Sequence, residues 1–431
     1  MSAALFEAIG RGEAPTTMDS LEAALGAALP ALRRYSCTPQ DAEWHAEGDV
    51  RVHTGMVLDA LRETLHTVPE GAARAELVFG ALLHDYAKPW TTREAEIGGK
   101  TRIVAPRHEA KGRSALAPLL LGLMPFDSVL RVLGMIGAHH EPKLLALKNR
   151  PPGEVKRLSR RAEPHQLLAL ERADMRGRVC PDLPKQLEHL DLYELMAEEY
   201  SPEGWRTAWR DAALQAAGSR SEAVLDWVYG EAIRLAEAGR LTSPAELGYL
   251  AHQHGREDPP ELVITVAPSG AGKTRLCRAV LAPRGFERVS LDDAREELTG
   301  DVSDQTANGQ ARQLARARLK AALRPGRKVV WDATSLRREL RAMIVQVGLD
   351  YGALVTFAVI WQRPEGYARG NRARAEAVPD SVLLRQLDGL EWPEADEAHR
   401  IVHLDGDLSV LGVEGSALRV PPWGLPERGA P

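Results

Sequence analysis

The sequence predicts a multidomain chain, with an all-α N-terminal half and a C-terminal α/β domain built on a parallel sheet. Three observations carry this reading. Apolar residues recur at helical spacing from the N-terminus to about residue 250. Beyond residue 258, short apolar β runs alternate with helical stretches. After the first of those runs comes Ala267-Pro268-Ser269-Gly270-Ala271-Gly272-Lys273-Thr274, a glycine-rich turn of the kind that cradles phosphate.

In chain order, Leu21, Leu25, Leu29 and Leu32 give residues 1–45 a helical face. Val50–Leu61, Ala75–His84, Ser128–His140 and His165–Ala173 each place apolar residues on one side, and the roughly 150 residues after residue 45 read as helices. Pro89, Gly98-Gly99, Pro125 and Pro151-Pro152 punctuate them. Residues 183–250 continue as Ala-, Glu- and Leu-rich helix, and Ser243-Pro244-Ala245-Glu246 is a capped helix start. The texture changes at Gly255-Arg256-Glu257-Asp258-Pro259-Pro260, which marks a boundary. The organisation expected is a first domain over 1–210, a helical linker over 211–257 and a second domain over 258–431. Its strands are expected at Leu262–Val266, Arg288–Leu291, Lys328–Trp331, Leu354–Ile360 and Ile401–Leu404. The Gly- and Pro-rich tail from about residue 406 receives no role.

Composition narrows the class. The chain of 431 residues is 44% hydrophobic and 27% charged, ordinary for a soluble protein with substantial cores. No apolar run approaches the roughly 20 residues of a membrane span, and the N-terminus lacks a secretion signal. Cys37, Cys180 and Cys277 are few, odd in number and far apart, which excludes a disulfide framework and suits a reducing cytoplasm. A net charge of −5 means that nucleic-acid contact would come from local arginine clusters.

The C-terminal half carries phosphate-transfer residue types. Gly270 and Gly272 let successive backbone N–H groups point at phosphate oxygens, with Ser269 and Ala271 in the same curl. Lys273 reaches the β/γ-phosphates of ATP and Thr274 holds Mg²⁺. Ala267 stands where such loops usually have glycine, a mild departure. Asp292, past the second strand, suits a general base, and Arg295 lies one turn beyond it. Asp332 ends the third strand, near the expected metal, although a helix N-cap is the alternative. Arg369, Arg372 and Arg374 precede Val378-Pro379 and read either as a mobile lid over phosphates or as a solvated basic face. This set resembles the phage-type 5′-OH polynucleotide kinases over residues 258–405. The resemblance implies Asp292 as base, Arg295 as acceptor-phosphate clamp and lid arginines on ATP. The family's pair of lid arginines four apart is not matched here.

The N-terminal half carries His53, His84-Asp85, His108, His139-His140 and Asp174, imidazole and carboxylate donors suited to Mn, Fe, Co, Ni or Zn. A metal there would activate water and neutralise phosphate charge. Lys88, one turn after Asp85, suits a substrate phosphate. The order H…HD…H…HH…D resembles the HD phosphohydrolase superfamily. Trp44–Asp49, Val52-His53-Thr54, His84–Lys88, Arg107-His108-Glu109 and Ala173–Arg178 resemble the HD domain of bacterial CCA-adding enzymes. That resemblance covers residues 40–210 and implies activity on 2′,3′-cyclic and 2′-phosphate RNA ends, with one or two transition metals. Either member of the His139-His140 pair is open as a ligand.

Both halves in this order resemble the bacterial HD-Pnk end-healing family. The resemblance implies RNA or DNA ends as partners, with a ligase acting downstream and no membrane. Two readings compete. One is an HD-type nucleotide phosphohydrolase with a regulatory P-loop ATPase. The other makes the C-terminal module a small-molecule kinase.

Overall fold

A computed structural model describes residues 2–253, 258–301, 306–374, 377–418 and 420–428. The chain divides into two compact units, Met1–Glu203 and Gly204–Pro431.

The first unit is helical around one largely enclosed helix. Ala72–Leu83 is buried at every position from Ala75 to Leu83, as a helix that is apolar on all sides must be. Its end delivers His84 and Asp85 into the interior. The helices Val50–Thr64, His108–Leu120, Phe126–Ala138 and Pro164–Arg176 belong to the same unit. Leu21, Leu25, Leu29 and Leu32 are all buried, as their spacing requires. The all-helical expectation needs one correction. Residues 93–104 form a hairpin of β1 (Arg93–Ile97) and β2 (Lys100–Val104). Gly98 and Gly99 turn it with φ of 60° and 75°, the pair of positive angles that a two-residue hairpin turn demands.

The second unit is built on a six-stranded sheet. Its strands are β3 (Glu261–Val266), β4 (Glu287–Ser290), β5 (Lys328–Asp332), β6 (Leu354–Ile360), β7 (Arg400–Leu404) and β8 (Val410–Glu414), in the order β4-β5-β3-β6-β7-β8. The first five run parallel, and β8 adds an antiparallel edge from the segment given no role. β3 and β6 are buried at every position, as central parallel strands are.

The helices over 205–253 belong to this unit rather than to a linker. Their face of Trp209, Ala213, Trp227 and Val228 is buried in one core with Leu354 and Ala417. Asp226 on helix Glu222–Glu237 is fully buried and accepts from Arg400 on β7 at 2.7 Å and from Ala417 N at 2.7 Å. Composition shows the helices but not this partner. Ser243 and Glu246 form the expected capping box. Of the polar stretch read as a boundary, Gly255, Arg256 and Glu257 lie outside the described residues.

Candidate functional sites

At the C-terminal ends of the parallel strands, β3 runs into the loop 267–272. Lys273–Arg275 and the wider-wound Leu276–Leu281 continue it as helix. Gly270 and Gly272 have φ of 79° and 104°, the left-handed values that let the loop curl. Neighbouring segments hold that curl. Ala267 N donates to Thr334 O at 3.1 Å, and Thr265 Oγ1 donates to Ala333 O at 2.7 Å. Gln362 Nε2 donates to Ala271 O at 3.1 Å. Ser269 N donates to Gln386 Oε1 at 2.8 Å.

Lys273 Nζ lies inside the loop, donating to Ala267 O and Pro268 O at 3.0 and 2.8 Å. Burial pushes this amine down to about 8, with Asp332 pulling the other way. Thr274 is exposed beside it. Asp292 opens helix Leu291–Thr299, which Ser290 caps, and its carboxylate accepts from Arg295 at 2.7 Å. Arg295 also donates to Asn308 Oδ1 at 3.1 Å. Asp332 accepts from Arg288 Nε at 2.7 Å. It caps no helix: the next one begins at Arg338, after Arg337.

Arg369 and Arg372 lie on helix Pro364–Arg372, Arg374 follows it, and all three are exposed. That helix touches the loop backbone to backbone. A Cβ on Gly370 would lie 2.0 Å from Gly270 O, and one on Gly270 would lie 2.4 Å from Asn371 N. Asn371 donates to Val378 O at 2.7 Å and accepts from Val378 N at 3.1 Å. The sequence reading gave no role to Gly370, Asn371 or Gln386.

In the first unit, the histidines and carboxylates singled out from sequence meet in one buried cluster. His84, His108 and His139 each place Nδ1 at 2.8 Å from a carbonyl three residues back, that of Ala81, Ala105 and Ile136. Each carbonyl accepts a hydrogen bond from Nδ1–H, so Nε2 is left as the lone-pair nitrogen facing inward. His53 Nε2 lies 3.3 Å from His84 Nε2 and 3.0 Å from Asp174 Oδ1. Asp85 sits between two sets of donors. Its Oδ2 is 3.3 Å from His84 Nε2, and its Oδ1 is 3.2 Å from His108 Nε2. His53, His84 and Asp85 form one group of potential ligands, and His108, His139 and His140 another. His139 Nε2 is buried without a hydrogen-bond partner. A cation would satisfy it, so the donors present fit a divalent metal. His139 is fully buried, while His140 is partly exposed and 3.9 Å from Glu109 Oε1. Both lie in the second group.

Electrostatics in the cluster are strongly coupled. Burial alone would raise the Asp85 carboxyl, but Lys88, His84 and His108 hold it well below the carboxylate range. Burial acts likewise on Asp174, which Arg178 and His53 hold down. Burial and neighbouring imidazoles push His139 and His140 well down, keeping both neutral. Glu47 had no role from sequence. Its Oε1 lies 3.0 Å from His53 Nδ1 and 2.8 Å from His45 Nδ1. Its Oε2 accepts from Val179 N at 2.9 Å. Glu47 thereby aims His53 Nε2 at the cluster. His45 serves that same carboxylate.

The family model described as the AAA domain matches residues 262–393. A gluconokinase from Sinorhizobium meliloti 1021 is similar among solved structures at 20% identity, with a TM-score of 0.27 over 34% of this chain and 82% of that one. No curated protein matches. The sheet, the loop and the family match over residues 262–393 mark that region as a P-loop kinase-like domain, which implies ATP-class nucleotide and Mg²⁺. Among the described residues, no helix is long and apolar enough to cross a membrane.

Proposed function

We propose that the chain is a bifunctional nucleic-acid end-healing enzyme, a 5′-OH polynucleotide kinase joined to a metal-dependent 2′,3′-cyclic phosphodiesterase and 2′-phosphatase. The observation that carries it is the pairing of two self-contained phosphate sites. One is the loop with Lys273, Asp292 and Arg295. The other is the buried cluster of His53, His84, Asp85, His108, His139 and Asp174.

At the kinase site, the loop amides and Lys273 hold the β/γ-phosphates, and Thr274 with Asp332 serves Mg²⁺. Asp292 takes the proton from the attacking 5′-hydroxyl. Arg295, which donates to Asp292 at 2.7 Å, reaches the acceptor's phosphate. The exposed Arg369, Arg372 and Arg374 close over the transferring phosphoryl group.

At the second site, His53–His84–Asp85 and His108–His139–His140 are two of the three donor groups among the described residues, and Asp85 lies near both His84 and His108, which supports a two-metal reading. A bound transition metal supplies phosphate charge neutralisation and a low-pKa water. Around it, Glu47 and the backbone carbonyls orient the imidazoles, while Lys88 and Arg178 offer positive charge to phosphate. The resemblance to the HD domain of CCA-adding enzymes supports RNA ends as substrate.

The test combines labelled ATP with a 5′-OH oligonucleotide, and separately a 2′,3′-cyclic-ended RNA with Mn²⁺ or Ni²⁺, followed by end analysis. Label on the 5′ end and loss of the cyclic phosphate are expected. ATP hydrolysis without transfer would instead favour the regulatory-ATPase reading. Transfer only to a small molecule would favour a metabolite kinase.

A further inference from the structure

Each carboxylate of the buried cluster carries its own cation. Lys88 Nζ lies 2.7 Å from Asp85 Oδ2, and Arg178 engages both oxygens of Asp174, through Nε at 3.1 Å and through a terminal nitrogen. All four side chains are largely shut off from water, with exposures of 1% and 0% for the carboxylates, 8% for Lys88 and 12% for Arg178. Each of these two carboxylates is therefore already paired with its own cation, while the third buried carboxylate, Glu47, is held by His45, His53 and Val179 N. A divalent cation that takes Asp85 and Asp174 displaces Lys88 and Arg178 from their partners, and an unpaired buried cation is costly. Pairing returns when an anion arrives, and the displaced cations are placed to receive it. Lys88 also donates to Gln40 Oε1 at 2.6 Å, so it keeps a second anchor when it leaves Asp85. Arg178 follows the end of helix Pro164–Arg176, beside Gly177, whose carbonyl lies 3.1 Å from His53 Nδ1, and Val179, whose amide holds Glu47.

We infer that the cluster is a coupled metal–phosphate site. Lys88 and Arg178 neutralise Asp85 and Asp174 until a divalent cation takes the carboxylates, and then pass to the oxygens of a phosphate group. Metal and phosphate therefore bind with positive cooperativity. This inference rests on the metal-dependent reading of the cluster, and adds how the site distinguishes a phosphate end from water. No covalent step is involved; two ion pairs exchange partners.

The test is calorimetric titration of the chelator-stripped full-length protein with Mn²⁺, with and without saturating inorganic phosphate. Phosphate should raise Mn²⁺ affinity about tenfold or more, and Mn²⁺ should raise phosphate affinity by the same factor. Arg178→Gln and Lys88→Gln should each bind Mn²⁺ alone more tightly than wild type, since a competing cation is gone, and should lose most of the enhancement by phosphate. Equal Mn²⁺ affinity with and without phosphate in the wild type overturns the inference, whether or not the variants fold. So does weaker bare-metal binding in a variant whose circular dichroism is unchanged, because the cations would then only support the ligands. If the wild type binds no Mn²⁺, or His84→Ala binds it equally well, the metal reading itself fails. Metal binding without coupling sinks only the exchange.

Discussion

The approach of helix Pro364–Arg372 to the nucleotide loop allows a sharp test. Gly370→Ala places a Cβ 2.0 Å from Gly270 O and 3.0 Å from Gly270 C. Ordinary contact needs more than 1 Å of retreat, and both partners are backbone, so no side chain can swing away. Overpacking of this kind costs roughly 1–3 kcal/mol, while alanine in a helix returns up to about 1 kcal/mol over glycine. The net of about 1–2 kcal/mol falls on the loop that holds phosphate. Nucleotide affinity should drop about 5- to 30-fold. Gly309→Ala is the control, since its Cβ would meet nothing within 4 Å at the start of helix Asn308–Leu323. The assay is equilibrium binding of a fluorescent ATP analogue with Mg²⁺, beside the rate of phosphoryl transfer. Wild-type affinity in Gly370→Ala would show that the loop does not need this helix against it, and would refute the reasoning.

Asp292→Ala should keep ATP binding and slow phosphoryl transfer on the order of 100-fold or more; transfer at the wild-type rate removes Asp292 from the mechanism. Lys273 sits near 8 in the empty site through burial. Phosphate favours its charged form, so ATP binding should take up a proton above about pH 8 and weaken as pH rises, measured by calorimetry in buffers of different ionisation enthalpy. A pH-independent affinity from 7 to 10 contradicts this. Changing the exposed Arg369, Arg372 and Arg374 to alanine should leave stability within about 0.5 kcal/mol each while slowing transfer; unaffected transfer in the triple variant ends the lid assignment. Lys273→Ala should spare hydrolysis of cyclic phosphate, and His84→Ala with Asp85→Ala should spare the kinase. Loss of both activities from either change, with folding intact, would mean one shared site.

What sequence could and could not convey divides along physical lines. The loop was legible because phosphate binding demands glycines at left-handed positions and a lysine at fixed spacing, and Gly270 and Gly272 have those angles. The buried strands were legible as apolar runs. Helix Ala72–Leu83 was legible as one apolar stretch ending in His84-Asp85. The hairpin over 93–104 was missed because Arg93-Glu94-Ala95-Glu96-Ile97 is mostly exposed and its apolar alternation is limited to Ala95 and Ile97; Gly98-Gly99 was the stronger signal. The helices over 205–253 were visible, but their membership of the sheet unit depends on Asp226 meeting Arg400, which is 174 residues away. The carbonyls that orient His84, His108 and His139 leave no trace in residue identity, because every residue has one. Gln386 and Gly370 act through contacts with backbone and Glu47 through the rings of His53 and His45, and spacing alone does not reveal such contacts.

The two sites also store charge differently, and this decides how substitutions should be read. Asp292 is 58% exposed on its side chain, so its removal strips a solvated carboxylate and the fold should barely notice. Asp174 is fully buried and held by Arg178 and His53. Its removal leaves Arg178 with an uncompensated buried charge, and breaking such a pair typically costs about 3–5 kcal/mol. Loss of activity in Asp174→Ala would therefore mix chemistry with unfolding. The informative change at that position is the pair Asp174→Asn with Arg178→Gln. It removes both charges, keeps similar volume and hydrogen-bonding atoms, and should recover most of the stability lost in Asp174→Ala. Metal affinity should stay weak in the pair, because a neutral amide is a poor ligand for a divalent cation. Recovery of stability without recovery of metal binding would separate the charge balance that holds this pocket together from the ligand chemistry that it serves.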